Sequence, residues 1–398
     1  MWLCGAAGAG KSAIARTIAE HLLGRRQLLA TFFFSRADSS RNHTKSVIAT
    51  LCYNITLSVP ESFLLITAII EQDPHIFHRP LAHQLTKHIL ELLEQLSCQG
   101  VTYPTVFIID GLDECLIQEE RTTLLTAIST TTGAGHSSPL KFLITSRPEV
   151  PLARVFNTNP VKEVSARHSL DNEPDSRMDV AYFLSAKFDE IKRAHPSRRH
   201  IPHDWPSSHI ISDLVRKSSG QFIYPATIVK YLWSPKHSPM LRLDIILQLQ
   251  PQPLPADGET PFGQIDALYK HILLSCDDVE LTLRIIGVCL VSTGITDIDS
   301  LISYYPALTK PEYIEAILCI HPGDVQRGLE DLGSLVEYKG DDEELRVLHA
   351  SLFDFLLDPS RCYGLPFDLT AVHTDLALWY SQFDAHCEPM VNPWNSGE

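Results

Sequence analysis

Gly5-Ala6-Ala7-Gly8-Ala9-Gly10-Lys11-Ser12 decides how this chain is read. It follows the apolar triplet Trp2-Leu3-Cys4 and precedes a segment with Ile14, Ile18 and Leu22 one turn apart. The eight residues fit G-x-x-x-x-G-K-[ST], and a strand before with an amphipathic helix after is the context that pattern needs. The glycines let the backbone wind so tightly that successive N–H groups face one point, at the positive end of a helix. That point suits phosphate. Lys11 then supplies a cation for the β- and γ-phosphates of ATP or ADP, and the Ser12 hydroxyl a ligand for Mg²⁺. The residues expected against nucleotide are Gly5, Ala6, Ala7, Gly8, Ala9, Gly10, Lys11, Ser12 and Ala13.

Outward from this loop, short β-branched or aromatic runs alternate with helical patterns. The runs are Trp2–Cys4, Leu28–Phe34, Thr105–Ile109, Lys141–Thr145 and Val161–Val164, with helices expected at 44–57, 61–72 and 81–98. Strands alternating with helices predict an α/β fold, a parallel sheet covered on both faces. Ligands of such sheets bind at the carboxyl ends of the strands. Val106-Phe107-Ile108-Ile109-Asp110-Gly111-Leu112-Asp113-Glu114 ends a strand in carboxylates at that edge. Asp110 is the expected Mg²⁺ ligand and Glu114 the group that polarises a water, with Asp113 supporting either task. Phe142-Leu143-Ile144-Thr145-Ser146-Arg147-Pro148 is a second strand ending in a polar turn, from which Arg147 would reach a γ-phosphate.

The chain's 398 residues carry a net charge of −15, which argues against a broad surface for nucleic acid or anionic membrane. No apolar run reaches the roughly 18 residues of a membrane span. No charged segment followed by an apolar core marks a secretory signal at the N-terminus, so a cytoplasmic location is expected. The nine cysteines are scattered singly, without a C-x-x-C pair, and read as reduced buried thiols.

From 178 to 249 the pattern is helix after helix, at 178–191, 207–216, 222–232 and 241–249, and Pro251, Pro253, Pro255, Gly258 and Pro261 mark a linker. Helices near 264–275, 277–291, 298–303 and 324–332 precede two extended pieces, 335–338 and 344–348, flanking a Lys-Gly-Asp-Asp turn. Helices followed by a hairpin predict a winged-helix domain, whose acidic turn opposes a DNA-facing wing. The domain expectation is 1–165 for the nucleotide-binding sheet, 166–262 for a helical lid, 263–360 for the winged helix and 361–398 for the start of a further helical segment.

Taken together, GAAGAGKS, FIIDGLDEC, FLITSRPE, GQFIYPATIVKYL and LHASLFDFLLDPSR make the chain resemble the fungal NACHT-domain proteins of the STAND class of P-loop signalling NTPases, of the nephrocystin-like N-terminal type. The resemblance implies a switch held closed by ADP and opened by exchange for ATP, with slow hydrolysis and self-association. It assigns Lys11 and Ser12 to phosphate and Mg²⁺, Asp110 and Glu114 to metal and water, and Arg147 to sensing the γ-phosphate. It adds Pro225 as the proline packed on adenine, where the fungal branch carries alanine, and His349 as the histidine that touches the ADP β-phosphate in the closed state. It also implies an upstream segment covering adenine, an effector module and sensor repeats; with four residues before Gly5, the chain is expected to be a truncated form. Alternative readings are a nucleotide-binding scaffold without turnover and a DNA-associated P-loop ATPase. The histidines 75, 78, 83 and 88 lack a companion at zinc-ligand spacing, and Lys192, Arg193, Arg198 and Arg199 read as a solvated basic face.

Overall fold

The computed structural model describes residues 1–36, 38, 40–132, 140–170, 175–251, 262–292, 308–337 and 344–386. The expected helix at 298–303, most of the Pro-rich linker and the Lys-Gly-Asp-Asp turn lie outside them. The chain divides into two compact units, Met1–Phe188 with Pro206–Pro225, and Asp189–Trp205 with Ala226–Glu398.

The first unit is built on five parallel strands, β1 (Trp2–Cys4), β2 (Leu28–Phe33), β3 (Val106–Asp110), β4 (Lys141–Ser146) and β5 (Arg167–Ser169), in the spatial order β2-β3-β4-β1-β5. Side chains alternate across the sheet, as the period of a strand requires. Leu3, Ile108 and Leu143 point to one face, where they meet α1 (Lys11–Gly24). Helix α1 lays the small residues Ala15 and Ala19 against the strands, with Ile14, Ile18 and Leu22 half-buried beside them. Trp2, Cys4, Phe107, Ile109, Phe142 and Ile144 point to the other face, covered by α2 (Val47–Ser58), α3 (Ser62–Gln72), α4 (Leu81–Leu85), α5 (Leu92–Cys98), α6 (Gln118–Thr132) and α7 (Val150–Phe156). That core holds two parallel ring stacks, Trp2 on Phe156 at 4.0 Å and Phe107 on Phe142 at 4.7 Å between centroids. Between α4 and α5 the chain winds as a π-helical turn, Thr86–Glu91, so the expected continuous helix is broken in register although it is continuous in direction.

One strand expectation is corrected. Val161–Val164 is a helical turn, α8, in which only Val161 is buried, and the fifth strand is the polar Arg167–Ser169. A single inward residue needs no pleat, and an edge strand with solvent on one flank needs no hydrophobic run. The cysteine expectation also fails at two positions: Cys98 and Cys319, each at a helix end, are exposed.

Helix α9 (Asp175–Ala194) begins in the first unit, which also holds α10 (Ser208–Ser218) and the first turn of α11 (Ile223–Leu232). The second unit is helical: the rest of α11, then α12 (Pro239–Gln248), α13 (Gly263–Leu274), α14 (Val279–Ser292), α15 (Pro311–Leu318), α16 (Asp324–Leu329), a two-stranded antiparallel pair β6 (Val336–Glu337) and β7 (Arg346–Val347), α17 (Ala350–Leu356) and α18 (Leu369–His386). Buried polar contacts tie α13 to the segment around α17. The Tyr269 hydroxyl lies 2.9 Å from Ser351 Oγ, and Arg361 donates two hydrogen bonds to Asp266.

Candidate nucleotide site

The loop between β1 and α1 leaves the sheet at its carboxyl edge. Gly8 and Gly10 have φ of +75° and +89°, in the left-handed region where only glycine is unstrained, which lets the loop fold over itself. Helix α1 starts with Gly10 as its N-cap, and no side chain caps its first N–H groups. Fourteen residues of aligned peptide dipoles therefore end in uncapped donors at the loop, the arrangement that attracts an anion. Lys11 Nζ folds back onto the loop and donates to the carbonyls of Gly5 at 2.8 Å and Ala6 at 2.9 Å. This puts the ammonium over the rim of the cradle.

Strand β4 lies between β1 and β3, so its end separates the phosphate loop from the acidic strand end and also joins them. Thr145, fully buried, donates through Oγ1 to Asp110 Oδ1 at 2.6 Å and accepts from the Gly111 N–H at 2.9 Å. Ser12 donates its hydroxyl to the Asp110 carboxylate. The path from phosphate loop to β3 is thus Ser12, Asp110, Thr145 and Gly111. Asp110 is only 3% exposed, and burial pushes its carboxyl above the usual carboxylate range, against the pull of the Thr145 and Ser12 hydroxyls.

Glu114, half-buried, accepts the backbone N–H of Arg36 on Oε2 at 3.1 Å. Burial pushes its carboxyl up as well, only partly offset by the Arg36 N–H, and the charges of Asp113 and Asp110 add to the upward shift. Asp113 takes Arg147: the Arg147 N–H donates to Oδ1 at 2.9 Å, and Nε lies 3.1 Å from Oδ2. The arginine expected to reach a γ-phosphate therefore rests on a carboxylate of the neighbouring loop.

The structure brings Lys11, Ser12, Asp110, Asp113, Glu114 and Arg147 to one edge of one sheet. Pro225 is buried in the first turn of α11, two residues beyond Ile223, whose N–H donates to the Gly8 carbonyl at 3.2 Å. His349 belongs to the second unit, where it is the N-cap residue of α17. Burial, and then the charge of Lys230, push its imidazole down to about 4, and among the described residues its Nε2 has no hydrogen-bond partner. Thr145 and Ile223 are contributors that the sequence reading missed, and Arg36, which it reads as approaching a γ-phosphate from the second strand, enters through its backbone N–H on Glu114. Each acts through adjacency of strands or loops, which no spacing along the chain records.

No group of three or more His, Cys, Asp or Glu side chains poised for a metal occurs among the described residues. The donors that do converge, a hydroxyl and a carboxylate, are hard oxygen ligands and fit Mg²⁺, which keeps several waters and takes one or two protein oxygens beside phosphate. A cavity of about 440 Å³ opens at the opposite edge of the same sheet, lined by Val106, Leu125, Leu140, Phe142 and Val161 among others. It contributes no residue to this site.

The fold is that of a P-loop NTPase. The family model for the N-terminal part of nephrocystin 3 matches residues 1–147. No curated protein matches the chain. Among solved structures, the Walker-type ATPase paby2304 of Pyrococcus abyssi is 15% identical with a TM-score of 0.39, over 94% of this chain and 90% of that one. A chain of the Drosophila ORC bound to DNA is 12% identical with a TM-score of 0.36, over 89% of this chain and 90% of that one. No helix among the described residues is long and apolar enough to cross a membrane.

Proposed function

We propose that this chain is an ATP-binding, slowly hydrolysing P-loop switch of the STAND class. The observation that carries the reading is the convergence of the Gly5–Ser12 loop with Asp110, hydrogen-bonded to both Ser12 and Thr145, at one sheet edge. Phosphate oxygens would take the place of the Gly5 and Ala6 carbonyls at Lys11 Nζ, and the first N–H groups of α1 would face them. Ser12 and Asp110 would hold Mg²⁺, which supplies neutralisation of phosphate charge. The raised Glu114 carboxyl is a stronger base than an exposed glutamate, suited to drawing a proton from water, and its bond to the Arg36 N–H supports slow turnover.

The coupling to signalling rests on the two residues added by resemblance. Pro225 would pack on adenine, and His349, beside the β6–β7 wing of a winged-helix domain, would contact ADP and not ATP. A switch needs such differential contact, because a ligand shifts an equilibrium only by its preference for one state. Self-association and a cytoplasmic location belong to the same reading. The test is to denature the purified chain and identify any released nucleotide by chromatography, beside the Lys11→Ala variant. ADP near one per chain, absent from the variant, is expected; empty protein that also fails to bind added ATP with Mg²⁺ refutes the reading.

A further inference from the structure

Three carboxylates crowd the end of β3, and the structure gives each a different partner. Asp110 faces hydroxyls and Glu114 a backbone N–H, but both oxygens of Asp113 go to one residue, Arg147. The Asp113 side chain is 4% exposed and that of Arg147 20%, so the pair is screened from water on most sides. Strands β3 and β4 pair in parallel with Ile109 opposite Ile144, which sets Asp110 level with Thr145 and places the two following loops side by side. The contact is therefore a product of sheet register.

We infer that Asp113 is the positioning residue of Arg147, and that this pair sets how strongly the site prefers a nucleoside triphosphate over a diphosphate. The inference rests on the nucleotide reading above. It gives Asp113 the task of holding Arg147 in place of the metal and water roles, since each of its oxygens is already engaged by that residue. Arginine has a long, rotatable stem and a rigid planar head. Fixing the main-chain N–H and Nε on the same carboxylate locks the stem at both ends, and with it the plane in which the two Nη atoms lie. A preset guanidinium plane favours a tetrahedral oxyanion that arrives in that plane, and contributes little where no such group is present.

Isothermal titration with Mg²⁺–AMP-PNP and Mg²⁺–ADP tests this on the wild type, Asp113→Asn, Arg147→Ala, the double variant and Arg147→Lys. The readout is the ratio of the two affinities, which general loss of structure does not move. Arg147→Ala should lower the preference for AMP-PNP by about tenfold or more, the scale of a lost charge-assisted contact. Asp113→Asn should lower it to within about threefold of that value, and the double variant should fall no further, because the two residues act as one unit. Arg147→Lys should behave like Arg147→Ala, since an ammonium cannot be held at Nε. An Asp113→Asn protein that keeps the wild-type ratio, or effects that multiply in the double variant, would overturn the inference. So would retention of the ratio in Arg147→Lys, which decides the matter even if Asp113→Asn does not fold. If Arg147→Ala leaves the ratio intact while both nucleotides bind, Arg147 is no sensor and the pair no discriminator. Wild type that binds neither nucleotide instead removes the underlying reading.

Discussion

Lowering the pH should destabilise the second unit through His349, by an amount that the structure lets us work out. The imidazole titrates near 6.5 in an unfolded chain and is pushed down to about 4 in the fold, chiefly by burial. Below pH 6.5 the unfolded state binds a proton that the folded state refuses, so stability falls as pH falls. The contribution is intact above 6.5 and is lost down to about 4, with a slope of about 1.4 kcal/mol per pH unit. From pH 7 to pH 5 this one group costs about 2 kcal/mol. The perturbation that isolates it is His349→Leu, which removes the titration and offsets the curve by a constant. His88 and His271, whose imidazoles burial also pushes down, titrate in both proteins and cancel in the difference. Urea unfolding at a series of pH values between 5 and 7.5 should show the variant gaining about 2 kcal/mol on the wild type toward the acid end. A difference between the two proteins that is flat across that range would refute the argument, because a histidine held neutral by burial cannot be without pH dependence.

Glu114→Gln should abolish hydrolysis by about 100-fold or more while sparing nucleotide binding. Wild-type turnover should lose activity, as the pH falls, at a pH above the ordinary glutamate value because that carboxyl is raised, which a pH–rate profile with Mg²⁺–ATP checks. Thr145→Val leaves the Gly111 N–H and the Asp110 carboxylate each short of a buried partner, and should cost about 1–3 kcal/mol in urea unfolding, with Thr145→Ser recovering most of it. Gly8→Ala should eliminate nucleotide retention. Its Cβ would lie 2.3 Å from Ile223 Cγ2 in a left-handed backbone, whereas Gly24→Ala, with nothing within 4 Å, should bind as the wild type does.

The phosphate loop was legible because its chemistry is local: glycines, lysine and serine at fixed spacing between a strand and a helix determine one backbone shape. The acidic end of β3 was legible for the same reason. Strand β5 was not, because Arg167, His168 and Ser169 sit at an edge where no burial selects an apolar run. The apolar Val161 and Val164 drew the strand assignment instead. Helix α15 was missed although Pro311 at its first position is an ordinary start signal. Thr145 was overlooked for a deeper reason. Its role depends on β4 lying between β1 and β3, and strand order is a property of the sheet that residues two positions apart cannot express. Arg147 was read from its position after β4, but its partner comes from the loop beside it in space.

The alanines beneath α1 carry a consequence for which substitutions the protein tolerates. Ala15 and Ala19 are the buried residues of that helix against the sheet, while Arg16, Thr17 and Glu20 face solvent. Methyl-sized spacers set the height at which the helix rides, and with it the level of its uncapped first turn above the strand ends. Helix packing distance follows side-chain size. A random mutational scan selected for nucleotide retention should therefore be intolerant at 15 and 19, positions well inside the helix, and permissive at 16, 17 and 20 on its solvent face. In that pattern the ligand's seat is levelled from below, by residues whose only chemistry is to be small.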